Sequence, residues 1–311
     1  MMAVVFTILS MLLACGEDLL EKKAVTSKTE EVLKTLVWYG IFNFVLLCAV
    51  LAFGLEENSL LPHELIAEKP ILILPAALSC AVLLFSLASY KYVGVSVRNS
   101  FMNVDGLFYI LLLVIFYAVT GKAAFATRLF TPSAFIGMGL IIAATIIYPR
   151  IRPHGEEKDP QPEHQGRRML VLGIALAILA AFWDGSESLV SSHLIGDDVV
   201  DSMEYIAVLT FTQAVIGLII WIVLSVRTRK IYNPFRKTEK IRCLSQLFSL
   251  TADLLYVFAL TDDALIGVVL WNAFPILDIL GARIFMKEKL SFLQYAILFM
   301  LLAGALLVSI V

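Results

Sequence analysis

The stretch RIRPHGEEKDPQPEHQGRR, Arg150–Arg168, decides how the rest of the chain is read. It sets Pro153, Pro160 and Pro162 among a run of charges, a composition that neither continues a helix nor enters a bilayer. On both sides of it the chain turns apolar. Segments of about 20 apolar residues, enough to cross a hydrocarbon core about 30 Å thick, recur outward from the linker. Toward the start they are 127–149, 98–120, 70–91, 33–54 and 2–21; toward the end they are 169–193, 202–226, 243–260, 264–285 and 290–311. The linker 150–168 therefore separates one five-span half, 1–149, from another, 169–311.

Composition agrees with that division. The chain has 311 residues, 60% hydrophobic and 16% charged, with a mean hydropathy of +0.88. Soluble domains average about 45–50% apolar and about 25% charged residues. A soluble enzyme, a disordered tail and a nucleic-acid binder are excluded, and the expected fold is an all-α integral membrane protein of ten transmembrane helices. Cys15, Cys48, Cys80 and Cys243 lie in apolar stretches without a CxxC pair. They read as packing residues, so neither a metal site nor a cofactor is expected.

Lysine and arginine bias sets orientation. The loops after the odd-numbered spans, with the adjoining helix ends, hold 21 of the 24 basic residues, and the opposite side has only Lys69, Lys122 and Arg128. That opposite side carries Asp197, Asp198, Asp201, Asp262 and Asp263. Loops 150–168 and 227–242 are accordingly placed in the cytoplasm, with both termini outside. Leu12-Leu13-Ala14-Cys15-Gly16 has the outline of a lipoprotein cleavage site, but no Lys or Arg precedes it, so residues 2–21 are read as a first helix. Compact loops and the lack of a cleavable leader point to a bacterial inner membrane, with a eukaryotic organelle as the alternative.

The two halves carry traces of one another. Gly16-Glu17-Asp18-Leu19-Leu20 is echoed by Gly185-Ser186-Glu187-Ser188-Leu189 at an offset of 169, and Tyr92–Ser96 by Leu260–Ala264 at an offset of 168. An odd number of spans per half makes the second half enter the membrane in the opposite sense. The expected architecture is two inverted five-helix repeats, the geometry that gives one central site two alternative pathways.

Pro275–Ser309, PILDILGARIFMKEKLSFLQYAILFMLLAGALLVS, resembles the closing helix pair of the EamA branch of the drug/metabolite transporter superfamily. That pattern is a proline-containing ninth helix, a short turn filled here by Lys287-Glu288-Lys289-Leu290-Ser291, and a tenth helix bearing Gly304. The first half departs from it. Gly121-Lys122 stands at the corresponding turn and Cys15-Gly16 where a Trp-Gly pair is common, while Lys22-Lys23 and Trp183 match. The resemblance implies two EamA-like repeats, a small-metabolite substrate such as an amino acid or amine, and cytosolic termini, against the charge distribution.

Ionisable groups within spans cost about 2.5–3.5 kcal/mol each on insertion, so they face a cavity or a partner. Seven acids qualify: Glu17, Asp18, Asp105, Asp184, Glu187, Asp253 and Asp278. The interior cations available to them are Lys22, Lys23 and Arg283. Asp184, Glu187 and Ser191 share a face of the sixth span, and Trp271, Pro275 and Asp278 share a face of the ninth. Asn99 and Asn103 share a face of the fourth, with Asp105 opposite. Pro275 within a helix is read as a kink in a moving element. Asp184 and Glu187, one turn apart with no base nearby, are the leading candidates for binding substrate or a proton. Asp278 follows, then Asp105, with Glu17, Asp18, Asn103, Asn272 and Trp183 completing the set. Asp18 has a second reading, a local i,i+4 pair with Lys22. Asn43 and Gln213 read as interhelical hydrogen-bond glue, and Glu288 as a local cap at the membrane surface.

A secondary transporter working by alternating access, with protons as the possible coupling ion, accounts for these features. Its partners are then a small-molecule substrate, the bilayer and protons. No GxxxxGK[ST] loop is present for ATP drive, and no HExxH, GxSxG or Cys/His zinc spacing for a membrane enzyme. The remaining class is a membrane receptor or scaffold without transport, its basic segment Arg227–Arg242 binding anionic lipid or a partner, although that segment is also explained as a topology signal.

Overall fold

The computed structural model describes residues 2–25, 29–53, 61–120, 132–151, 163–196, 201–271 and 274–309. Every regular element among them is helical. The longer helices are α1 (Met2–Ala24), α2 (Thr29–Phe53), α4 (Ile73–Ser89), α8 (Glu163–Gly196), α9 (Ser202–Thr228) and α10 (Lys240–Trp271). Shorter ones are α3 (Pro62–Glu68), α5 (Val95–Met102), α6 (Asp105–Val119), α7 (Pro132–Ile147), α11 (Phe274–Phe285) and α12 (Phe292–Ser309). Five described segments are long and apolar enough to cross a membrane: Glu30–Ala52, Pro70–Ser89, Val95–Val119, Arg168–Ser191 and Met203–Thr228.

The helices pack as antiparallel pairs. α1 lies along α10: the Ser10 hydroxyl donates to the Ala252 carbonyl at 2.6 Å, Gln246 donates to Glu21 at 3.0 Å, and Arg242 reaches the Ala24 carbonyl at 2.9 Å. α4 lies along α8, α2 along α9, and α7 along α12. α8 also packs on α5 and α6, and α1 on α11; α5 meets α11 directly. A core of Phe101, Ala144, Tyr148, Ala177, Ile279 and Leu298 joins α5, α7, α8, α11 and α12.

α2 and α9 cross at paired glycines. A Cβ on Gly40 would lie 2.6 Å from the Gly217 Cα, so no side chain fits between these backbones. Close backbone approach at small residues is how helices associate where lipid offers no hydrophobic drive. Gly217→Ala is expected to cost about 1–3 kcal/mol through forced separation of the helices. The check is the Tm in detergent, with Gly139→Ala as control, since a Cβ there would meet nothing within 4 Å. Equal Tm values for the two variants would contradict the tight crossing.

The structure corrects several sequence expectations. Thr261-Asp262-Asp263, read as a loop, lies within the continuous α10, because a short polar stretch without Pro or Gly does not by itself end a helix. The fourth span is broken between Met102 and Asp105. Asn103, whose side chain competes for backbone hydrogen bonds, ends α5, and its N–H still donates to the Asn99 carbonyl at 3.1 Å. Asp105 then opens α6, where a carboxylate suits the positive helix end. A single helical wheel over Asn99, Asn103 and Asp105 therefore does not apply. The ninth span is described as helix up to Trp271, in α10, and again from Phe274, in α11. Pro275 is buried, the second described residue of α11. The kink expected at Pro275 would fall against residues 272–273, which lie outside the described residues.

Candidate functional site

The broken fourth span gives the bundle its polar centre. α5, VSVRNSFM, is buried at Val95–Phe101, Arg98 and Asn99 included. Its N-terminus is capped from far along the chain. After α11, Lys287 takes a left-handed turn (φ 56°), and the Glu288 carboxylate accepts from the Val95 N–H at 2.7 Å and the Ser96 N–H at 3.4 Å. A Cβ on Gly94 would collide with that carboxylate. Glu288 is thus a cap, as its position suggested, but for a helix in the opposite half rather than a local one.

Arg98 is the hub of the buried network. Its guanidinium donates to Asp18 Oδ1 at 2.7 Å, to Asn99 Oδ1 and to Ser86 Oγ, and it sits 4.8 Å from the centre of the Tyr90 ring. Tyr90 donates its hydroxyl to the same Asp18 oxygen at 2.7 Å. The Asn99 amide nitrogen bridges two carboxylates, Asp18 Oδ2 at 2.7 Å and Asp278 Oδ2 at 2.6 Å. Asp278 is fully buried, and its Oδ1 finds no hydrogen-bond partner among the described residues. The Cys15 thiol, also buried, donates to the Leu277 carbonyl next door at 3.6 Å. Asp18, Arg98, Asn99 and Asp278 are all at most 8% exposed.

Two sequence readings fall here. Arg98, absorbed by the sidedness count into a loop end, is a buried counterion. Asp18 and Lys22 do not form their i,i+4 pair: Asp18 turns to Arg98, while the Lys22 ammonium donates to the Tyr90 carbonyl and to the Val93 carbonyl at 2.8 Å. Further toward the basic side, Arg242 pairs with Glu31 and Glu239 and ties the loop before α10 to the ends of α1 and α2.

A second acidic group lies where α8 crosses the start of α6. A Cβ on Gly185 would stand 2.6 Å from the Asp105 carbonyl oxygen and 2.7 Å from the Tyr109 nitrogen. The crossing brings Asp184 and Glu187, which flank Gly185, toward Asp105. Glu187 accepts from Ser191 at 2.6 Å and from Tyr205 at 3.2 Å. Trp183 packs edge-on against Phe182, its indole nitrogen buried without a partner among the described residues.

The predicted set thus falls into two clusters joined by the α5–α6 break: Asp18 with Asp278, and Asp105 with Asp184 and Glu187. Glu17 is half-buried on α1 beside Ser249 of α10. Asn103 caps α5 at the junction, and Asn272 lies outside the described residues. Gln213 reaches Ser79 of α4 at 3.1 Å, the glue role expected of it, whereas Asn43, among the described residues, bonds within its own helix at Tyr39 O, 3.0 Å. Sequence reasoning missed Arg98, Tyr90, Ser86 and the buried Glu21. The signal available was the single cation in the otherwise uncharged run Val95–Val104. Among the described residues no group of three or more His, Cys, Asp and Glu could hold a metal ion.

No family model matches the chain and no curated protein does. Eleven chains of known structure match it. One, described only as "Crystal structure of protein", aligns with 99% of this chain and 96% of its own length at a TM-score of 0.52 and 15% identity.

Proposed function

We propose that the chain is a secondary active transporter of the EamA type, built from two inverted five-helix repeats, which moves a small metabolite carrying a positive group by alternating access in exchange for protons. The observation that carries this reading is the buried charge balance at α5. Asp18 and Asp278 share the Asn99 amide, yet among the described residues Arg98 is the one cation bonded within this group. The second carboxylate is neutralised by a proton or by the cationic group of a substrate, and one site that accepts either is what exchange requires.

The helix pairing supports the repeat. Exchanging the halves takes α1 to α8, α2 to α9, α4 to α10, α5–α6 to α11 and α7 to α12. Under that exchange the pair α1·α10 becomes α8·α4, α1·α11 becomes α8 with α5–α6, and α4·α9 becomes α10·α2, all of which occur. α2·α9, α5·α11 and α7·α12 map onto themselves. Broken helices near the centre, half-helices whose ends face polar groups, are the usual site-forming elements of such duplicated transporters.

In this reading the closed basic side, held by Asp18, Arg98, Asn99, Asp278 and the Glu288 cap, faces the cytoplasm of a bacterial cell, and the acidic side is the one that opens. The test is uptake into proteoliposomes, guided by thermal shift against amino acids, polyamines, nucleosides, sugar phosphates and nucleotide sugars. A ligand at about 100 times its Kd adds roughly 2.7 kcal/mol of stability. A shift confined to amines and amino acids, followed by uptake of that class under an imposed pH gradient, supports the proposal. A shift confined to sugar phosphates or nucleotide sugars overturns the cationic-substrate assignment.

A further inference from the structure

On the outer face of the bundle, the α2–α9 crossing leaves a groove of about 530 Å³, lined by Gly40, Phe44, Leu218, Trp221, Pro234 and Phe235, among other apolar residues. The groove exists because Gly40 and Gly217 let two backbones meet and leave the flanking side chains standing apart. Phe44 and Leu218 are each more than half exposed on this face. One end is built by the loop between α9 and α10, which folds back onto the helices: the Trp221 indole donates to the Tyr232 carbonyl at 2.7 Å, and Phe235 stands edge-on to Trp38 at 5.8 Å. That loop is not a passive topology signal, because it positions Pro234 and Phe235 as a wall of the groove. Directly after this wall come Arg236 and Lys237, both exposed, with Arg229 and Lys230 exposed on the same loop.

We propose that this groove is a binding site for one anionic phospholipid, an acyl chain lying between α2 and α9 and the phosphate held by Arg236 and Lys237. An apolar trough open along the lipid-facing surface and ending at a cationic cluster has the polarity of a phospholipid, tail to head. The clustered cations favour an anionic headgroup over a zwitterionic one. A second copy of the chain fits poorly. A twofold contact over this groove would bring the two basic loops toward each other, with seven cations and one carboxylate in each stretch Arg227–Arg242.

The experiment titrates the purified full-length chain in detergent with dioleoyl phosphatidylglycerol and, separately, dioleoyl phosphatidylcholine, counting bound lipid by native mass spectrometry and following Tm. The expected result is saturable binding of one phosphatidylglycerol, with phosphatidylcholine clearly weaker. R236Q/K237Q changes two exposed side chains at the short 3-10 turn ahead of α10 and should fold normally. It should weaken phosphatidylglycerol binding about 25-fold, at roughly fivefold per cation, and leave phosphatidylcholine unchanged. Ala214→Phe, which fills the trough, should weaken both lipids. Equal affinity for the two lipids, or R236Q/K237Q binding phosphatidylglycerol like the wild type, overturns the proposal. So does a charge effect that survives Ala214→Phe, which would make the loop a plain electrostatic surface. A lipid-free dimer abolished by Ala214→Phe would assign the groove to a second copy instead.

Discussion

Replacing Arg98 with alanine should cost about 3–5 kcal/mol of stability, the largest loss expected from any single substitution in this chain. The side chain is 8% exposed and meets Asp18, Asn99, Ser86 and the Tyr90 ring together. Removing it leaves the Asp18 carboxylate buried beside Asp278 with no cation in contact. Much of the loss is therefore the penalty on the partner left behind, and the cycle with Asp18→Asn measures it. The double variant R98A/D18N should recover part of the loss, with a coupling of about 0.5–3 kcal/mol. Arg98→Lys should be intermediate, since an ammonium keeps the charge but lacks the planar fork that serves several acceptors and stacks on an aromatic ring. The readout is Tm in detergent for the wild type and the four variants. A wild-type Tm for Arg98→Ala would mean that the guanidinium is not the buried counterion.

How much of this was legible beforehand differs element by element. Runs of about 20 apolar residues mark helices on hydropathy alone, and α2, α4, α8 and α9 fall where the spans were drawn. The polar breaks were harder. Asp262-Asp263 has the composition of a loop but sits inside α10, whereas Asn103 looks like an ordinary span residue and ends a helix. What decides between them is tertiary. α5 is short because Glu288, 193 residues from Val95, caps it and because α6 restarts against Gly185 of α8. No window of local sequence contains that information.

The site residues follow the same logic. Acids within spans stand out because each is costly in lipid, so Asp18, Asp105, Asp184, Glu187 and Asp278 were all visible. Their grouping was not. Helical periodicity joins residues three or four apart and so tied Asp18 to Lys22. The structure joins Asp18 to Arg98 and Asp278, 80 and 260 positions away. Arg98 was hidden for a particular reason: a cation near a helix end is ordinarily a topology marker. Only the Asp18 carboxylate opposite it gives it another role.

Asp278→Asn should remove proton-driven accumulation while leaving the fold intact. Asparagine keeps the volume of the side chain and an oxygen for the Asn99 amide, so Tm should stay close to wild type. What it loses is the capacity to hold a proton in one state and a cationic group in another. If the substrate's positive group is held by a charge-assisted hydrogen bond worth about 1.5–3 kcal/mol, affinity should fall by about 10- to 150-fold. Uptake into proteoliposomes should then no longer respond to an imposed pH gradient. The double amide D184N/E187Q is the competing experiment, because those two acids have the same chemistry one crossing away. Glu187 already accepts from Ser191 and Tyr205, whereas Asp278 keeps one oxygen without a partner among the described residues, in a fully buried position. Loss of pH response in Asp278→Asn with its retention in the double amide places the exchange at α5. The reverse moves it to the α6–α8 crossing and makes Asp278 a strut that holds the basic side closed. Retention in both variants removes Asp278, Asp184 and Glu187 from the proton pathway and leaves Asp18, Glu21 and Asp105 as the acids to test next.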